Sequence, residues 1–304
     1  MIEYILVTGS TGFLGIHIVH TLSKKYKNII ILIRSTSDIS KIKNIEGVTF
    51  WNIDNQSIAL LFDKYIIEGI IHLATYYKKT HSQEDIKPMI QTNISFPLEI
   101  LNLAIEKKVR WFINTGSGAE YEQSNVLLDN TSDLNPENLY AKTKIAFEYL
   151  SGGLLKNSKM SYLSMIIFSP FGIGEKDFKL IPTIIDRIKS NKQLVLNSPD
   201  QKLDLIYVED IAEFYLKAID FAKHKEKIFY RFNVGSGKVY TVENIVQEVE
   251  KLLNQKANIT YKNESKIIER YPDVRDIEHK LNYKANTSLN QGLLKIIESY
   301  DGID

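Results

Sequence analysis

Along most of the chain, short apolar runs alternate with stretches in which apolar residues recur every three to four positions. Tyr4 to Val7 is the first run, and Phe13, Leu14, Ile18, Val19 and Leu22 follow at helical spacing, which predicts a strand, a turn and a helix. Asn28 to Ile33 is a second run of β-branched residues, Val48 to Ile53 a third that ends at Asp54, Gly69 to Thr75 a fourth, and Val109 to Asn114 a fifth. Helical patterns fill the gaps, one beginning near Ser57, one from about Ile86 to Lys107 and one after Pro136. Strands apolar on both faces, joined by short links through helices, predict an α/β fold with a doubly wound parallel sheet and right-handed crossovers. Beyond Phe168 the pattern predicts helices over Ile181–Ile188 and Thr241–Leu253, the second capped by Thr241. Leu205–Phe221 reads as a strand end and a helix that return to the first half.

The turn after the first strand changes the picture from architecture to chemistry. It carries Gly9, Gly12 and Gly15 within Thr8-Gly-Ser-Thr-Gly-Phe-Leu-Gly15. In a strand–turn–helix unit the first glycine permits the sharp exit, the second leaves room for a pyrophosphate and the third lets helix and strand approach closely. The helix N-terminus then offers N–H groups and a positive dipole end to phosphates, so the turn reads as a dinucleotide site. An acidic residue at the end of the second strand would take the ribose hydroxyls of NAD; Arg34 and Ser35 stand there instead, which suits a 2′-phosphate and favours NADP over NAD. Asp54 is placed either to accept from an adenine amino group or to cap the helix near Ser57. His72, inside an apolar run, reads as a satisfied core residue.

Composition narrows the classes further. The 38 basic and 37 acidic residues among 304 leave a formal charge of +1, so there is no broad electrostatic footprint for nucleic acid or an anionic membrane. The absence of cysteine excludes disulfides, cysteine nucleophiles and thiolate metal sites. No metal site is expected. No apolar run approaches the ~20 residues of a membrane span, and the opening Met-Ile-Glu-Tyr has no signal-like core, so the expected location is cytoplasmic.

Tyr140 and Lys144 lie at i and i+4 on one helix face, downstream of the small-residue turn Thr115-Gly-Ser-Gly-Ala-Glu-Tyr121. An ammonium beside a phenol stabilises phenolate and lowers its pKa from about 10, so the pair can pass a proton to or from an alcohol or ketone. With these residues in place the chain resembles the extended short-chain dehydrogenase/reductase family, in its nucleotide-sugar-modifying group. Thr8 to Gly15 is similar to T-G-x-x-G-F-x-G, His72-Leu-Ala to H-L-A, Ser117 with Tyr121 to the catalytic Ser/Thr before Y-G, Tyr140 and Lys144 to Y-x-x-x-K, and Pro170-Phe-Gly172 to the Y-G-P-like turn. Asn93 stands at the family's helix asparagine, Asp204 to Asp210 resembles R-D-F-x-x-V-x-D, Phe232 to Gly237 resembles Y-N-V-G-S-G, and Leu281-Asn-Tyr283 resembles L-G-W.

The resemblance implies a Rossmann-type domain over 1–168 plus about 205–235, and a smaller nucleotide-sugar-binding lobe over about 169–204 and 236–304, with a cleft between. It implies Tyr140 as general acid/base, Lys144 lowering its pKa, Ser117 holding the sugar oxygen and Asn93 completing a proton relay. The expected cofactor contacts are Gly9, Thr11, Gly12, Phe13, Leu14, Gly15, Arg34, Ser35, Ile53, Asp54, Leu73, Ala74, Thr75, Asn93, Tyr140, Lys144 and Pro170. The expected substrate contacts are Tyr76, Ser117, Gly118, Tyr140, Ser169, Lys179, Lys202 and Arg270, with Lys262 a further candidate for the diphosphate. Departures from the family pattern fall at Leu203 in place of arginine, at Ile166 and Ser169 before the Y-G-P-like turn, and at Glu122 after Tyr121. Lys262-Asn-Glu264 is similar to an R-x-N-E stretch of CDP-dideoxyhexose synthases. Dehydratases of the group carry Thr-Asp-Glu where this chain has Gly116-Ser117-Gly118, which disfavours dehydration. The expected activity is therefore an NADPH-dependent reductase of a 4-keto deoxy sugar nucleotide, with a C4 epimerase as alternative and a non-catalytic NADP-binding regulator as a remote one. The helix over Ile86–Lys107 and that after Tyr140 are expected to build a homodimer interface.

Overall fold

The structure, a computed structural model, describes residues 2–123, 127–262, 269–300 and 302. Its centre is a seven-stranded sheet of β1 (Glu3–Thr8), β2 (Ile29–Ile33), β3 (Val48–Asn52), β4 (Ile66–His72), β5 (Trp111–Ser117), β6 (Ser161–Ile167) and β7 (Phe229–Val234). The spatial order is β7-β6-β5-β4-β1-β2-β3, and every pairing is parallel. Seven parallel strands with buried Ile, Leu and Val on both faces need a helical layer on each side. Helices α1 (Phe13–Lys25) and α7 (Val208–Lys223) cover one face. Helices α2 (Ile58–Lys64), α4 (Phe96–Glu106) and α5 (Leu139–Leu155) cover the other.

The helix expected as one piece over Ile86–Lys107 is three: α3 (Gln83–Ile90), a π-helical turn over Gln91–Ser95, and α4. Pro97 supplies the reason. It has no N–H to give the carbonyl of Asn93 four residues back, and its ring crowds that carbonyl, so the chain widens to a five-residue turn in which Phe96 N–H reaches Gln91 O. Other boundaries also differ: the fourth strand begins at Ile66, three residues before Gly69, the third ends at Asn52, and the fifth runs from Trp111 through Ser117.

A second core lies beyond the sheet. Helices α6 (Leu180–Lys189), α8 (Val242–Leu253) and α10 (Leu289–Tyr300) pack Ile184, Ile188, Ile245, Val249, Leu293 and Ile296 together, while α9 (Arg275–Leu281) rests on the sheet side. Two buried carboxylates join the segments around it. Asp204 accepts from Ser236 N–H at 2.6 Å and Gly237 N–H at 2.8 Å, and Asp210 accepts from the Tyr283 hydroxyl and the N–H groups of Asn286 and Thr287. The late sequence motifs are therefore joints between chain segments. No helix among the described residues is long and apolar enough to cross a membrane.

Candidate active site

Sheet order reverses between β1 and β4, and the C-terminal ends of these strands open into a cleft of about 940 Å3. A single small-ligand site takes roughly 300–1,000 Å3, so the cleft stands at the upper end of that range. Gly9 turns the chain out of β1 at φ 70°, and a Cβ there would meet Ala74 N at 2.5 Å. Gly15 is as tightly required, since a Cβ would lie 2.2 Å from Gly9 O. Thr8 Oγ1 accepts from the N–H groups of Leu73 and Ala74 and hydrogen-bonds His72 Nδ1 at 2.8 Å, which ties the ends of β1 and β4 together. His72 is buried and held well below its usual pKa by that burial, with Lys144 adding to it, so it is a neutral core residue as expected.

Helix α1 starts at Gly12 with no side chain capping it and no acidic residue in its first turn. Its N–H end faces the cleft with room for an anion, which fits the pyrophosphate of a dinucleotide. Gly9, Thr11, Gly12, Phe13, Leu14, Gly15, Arg34, Ile53, Leu73, Ala74, Thr75 and Pro170 all line this cleft. Arg34 opens a tight turn after β2, in which its own N–H donates to Ser37 Oγ. Ser35 is turned aside: its N–H donates to Asp54, and its hydroxyl accepts from Asn52. Asp54 is thus a brace for the Arg34 turn. The cap of α2 is Ser57, whose side chain accepts from Ala59 N–H, so the capping alternative for Asp54 fails.

Ser117, Tyr140 and Lys144 line the same cleft. The Asn138 side chain caps α5 and sets Tyr140 and Lys144 on the face toward β5, where both are buried. Lys144 Nζ donates to Thr115 O at 3.0 Å. Burial pulls the Lys144 ammonium down to about 8, against the opposing pull of Glu120. The Tyr140 phenol goes up, contrary to the expected lowering: burial dominates, Glu120 adds to it, and the Thr75 and Ser117 hydroxyls beside the phenol only partly oppose it. The resting site therefore holds a protonated phenol at neutral pH, beside an amine whose proton burial makes easier to lose than an ordinary lysine's.

Asn93 stands behind the cleft. From the π-helical turn its amide accepts from Tyr76 N–H at 2.7 Å and from the Thr75 hydroxyl, and donates to Tyr76 O and Thr143 Oγ1. It reaches Tyr140 by two routes, through Thr75 to the phenol and through Thr143, whose hydroxyl donates to Tyr140 O.

Several expected substrate residues are placed differently. The Tyr76 hydroxyl donates to Asp85 at 2.6 Å, and its neighbour Tyr77 lines the cleft, its ring edge-on to Tyr140 at 4.9 Å. Strand alternation removes Lys202: Gln201, Leu203 and Leu205 face the cleft, while Lys202 is exposed and Asp204 turns to its Ser236 partners. Lys262 does not line it either, and Asn263 and Glu264 lie outside the described residues. Gly118, Ser169, Lys179 and Arg270 do line it. Lys179 Nζ sits 4.4 Å over the Tyr77 ring, and Arg270 donates to Tyr121 O. Ser169 holds φ 29°, in the left-handed region, at the turn that closes the cleft.

The sequence reading missed Lys176 and Glu175, both in the cleft wall; burial pushes the Glu175 carboxyl up to about 7. It also missed Glu120, although Ser117-x-x-Glu120 has the spacing of a capping box.

Comparison with known proteins follows the same lines. The profile of the NAD dependent epimerase/dehydratase family matches residues 5–235. The chain is 25% identical over 303 residues to CDP-abequose synthase of Salmonella muenchen, covering 96% of each chain. It is 24% identical over 315 residues to dTDP-4-dehydro-6-deoxyglucose reductase of Escherichia coli, covering 97% of this chain and 96% of the relative. In fold it is similar to UDP-glucose-4-epimerase of Stenotrophomonas maltophila, solved with bound NAD and formylated UDP-arabinopyranose, with a TM-score of 0.89 at 19% identity over 98% of both chains.

Proposed function

The chain belongs to the NAD dependent epimerase/dehydratase family, and from that premise we propose that it is an NADPH-dependent reductase of a 4-keto deoxy sugar nucleotide. The observation that carries this reading is the meeting of Ser117, Tyr140 and Lys144 in one cleft with the uncapped N-terminus of α1. The names of the CDP-abequose synthase and of the dTDP-4-dehydro-6-deoxyglucose reductase support sugar-nucleotide chemistry of this kind. Arg34, at the place of the ribose-binding acid, supports NADP over NAD.

A bound nicotinamide supplies or accepts the hydride. The chain's own residues manage position and protons. Ser117 hydrogen-bonds the carbonyl oxygen, and Tyr140, whose raised pKa keeps it protonated, gives its proton to that oxygen as negative charge develops there. The Lys144 ammonium then stabilises the phenolate left behind. The Thr75 hydroxyl, tied to Asn93, orients the phenol from the other side. Lys176, Lys179 and Arg270 supply the positive charge for a substrate diphosphate. In this reading 1–168 with 205–235 holds the cofactor, and 169–204 with 236–304 holds the nucleotide sugar. The protein acts as a homodimer through the exposed apolar residues Ile90 of α3 and Tyr149, Leu150 and Leu154 of α5.

A C4 epimerase is the second reading, favoured by the fold similarity to a 4-epimerase solved with NAD. The decisive assay incubates the protein with NADPH or NADH and CDP-, dTDP-, UDP- or GDP-linked 4-keto sugars, following reduced-nicotinamide absorbance and product. The reductase consumes NADPH in proportion to alcohol formed. In a parallel arm with the oxidised nicotinamide and the matching 4-hydroxy nucleotide sugars, formation of the C4 epimer without net nicotinamide reduction would establish the epimerase, and preference for NADH in the first arm would remove the argument from Arg34.

A further inference from the structure

Beneath the cleft lies a buried charge cluster that the mechanism above does not use. Glu120 ends the short 3-10 turn Gly118–Glu120 and is only 1% exposed. One of its carboxylate oxygens accepts from Ser117 N–H at 2.7 Å, and the other accepts from the Arg231 guanidinium at 3.0 Å. Arg231, on β7, also holds Glu148 of α5, which in turn is bonded by the Ser164 hydroxyl of β6. Gly116 makes room for the carboxylate, because a Cβ there would stand 2.8 Å from Glu120 Oε1. The elements that carry Ser117, Tyr140 and Lys144 are thus fastened to this cluster, β5 through Ser117 and α5 through Glu148, together with β6 and β7 through Ser164 and Arg231.

The charges balance in a way that involves the site itself. Two buried carboxylates, Glu120 and Glu148, share one guanidinium, Arg231, and the buried Lys144 lies one turn before Glu148 on α5, bonded to Thr115 O. Isolated in this interior, Lys144 would tend to shed its proton, since an unpaired buried charge costs several kcal/mol. Glu120 is the carboxylate that acts on it. We propose that Glu120 is a positioning residue of the active site, whose buried carboxylate, clamped by Arg231, fixes the Ser117 backbone in place for the substrate oxygen and is the counter-charge beneath the Tyr140–Lys144 pair. Its kinetic part rests on the reductase reading, whereas the electrostatic part stands apart from it.

The sign of the effect is set by the cluster. Glu120 faces Arg231 from β7, Lys144, Tyr140 and Glu148 from α5, Tyr162 from β6, and Tyr121 from its own turn. Burial, with Glu148 adding, lifts the Glu120 carboxyl above its ordinary value, while Arg231 and the Ser117 N–H hold it down. Its negative charge raises both Lys144 and Tyr140. Removing that charge lowers both, so the ammonium is lost at a lower pH.

The test is Glu120→Gln in the full-length protein, which keeps an acceptor for Ser117 N–H but no charge. Two quantities are read: the titration of Lys144 by NMR of labelled lysine ε-carbons, identified by its loss in Lys144→Met, and the pH profile of kcat/KM. Lys144 is expected to titrate about one pH unit lower in Glu120→Gln than in the unaltered protein, and the basic limb of kcat/KM moves down with it. A Lys144 titration unchanged in Glu120→Gln overturns the proposal, as does a uniform loss of kcat with an unmoved basic limb. A shifted titration in a protein that reduces no sugar nucleotide would overturn the reductase reading and leave the electrostatic role standing. If Glu120→Gln does not fold, Glu120→Asp keeps the charge and withdraws it from Ser117. Its expected result is a Lys144 titration close to the unaltered protein with kcat reduced about 10-fold or more, and a Lys144 titration displaced by a full unit would overturn the role.

Discussion

Tyr140 shows how far a side chain's chemistry depends on what surrounds it. A phenol four residues from a lysine is an ordinary helix-face pair until both are buried at the end of β5 beside Ser117 and Thr75. Burial then keeps the phenol protonated, the state a general acid needs. Tyr140→Phe is expected to lower kcat by about 10^2 to 10^4 with little change in nicotinamide binding, measured by steady-state rates and fluorescence titration. A variant with full rate would remove Tyr140 from the chemistry. The pair was legible because i and i+4 share a face whatever the fold. Tyr76 and Tyr77 were not separable, because an irregular loop has no period to say which ring turns inward; Asp85 decides it by taking the Tyr76 hydroxyl. Glu120 carried a readable capping pattern, but its second role depends on Arg231, 111 residues away.

Among the elements, the glycine turn and the π-helical turn do most to shape the site. The turn was readable from spacing alone, since each glycine answers a local steric demand. Gly15→Ala should force α1 away from Gly9 and Ser10, because the added methyl meets their backbones at 2.2 Å and 2.6 Å. It is expected to destabilise the fold by about 1–3 kcal/mol in urea unfolding and to weaken cofactor binding measured by calorimetry. Unchanged stability and binding would contradict this geometry. The π-helical turn was hidden, since apolar spacing continues through it from Ile86 to Lys107. Pro97 was the visible sign, and the widened turn is what aims Asn93 at the backbone of Tyr76. Lys202 shows the same limit: a residue count placed it near the missing arginine, and strand alternation carried it to the opposite face.

For the molecule as a whole, the cleft is a product of assembly. Its walls come from the glycine turn, the ends of β4, β5 and β6, and the 168–181 and 201–205 segments, which the buried Asp204 and Asp210 help to hold together. The opposite flank of the sheet layer leaves Tyr149 at 83% exposure, with Leu150, Leu154 and Ile90 also exposed, an apolar surface suited to a second copy. Light scattering at micromolar concentration should give twice the 35.0 kDa chain mass, and Leu150→Glu should shift it toward the single chain. A single-chain mass for the unaltered protein would exclude the dimer.

The sequence by itself determined the alternation of strands and helices in the first half of the chain, the dinucleotide turn and the Tyr140–Lys144 pair, because each is written in spacings of a few residues. Tertiary structure alone decided which of the neighbouring polar residues reach the cleft, that Tyr140 is raised, and that Glu120 meets Arg231 beneath Ser117. Those outcomes depend on burial and on charges brought together from distant parts of the chain, and local periodicity carries no record of either.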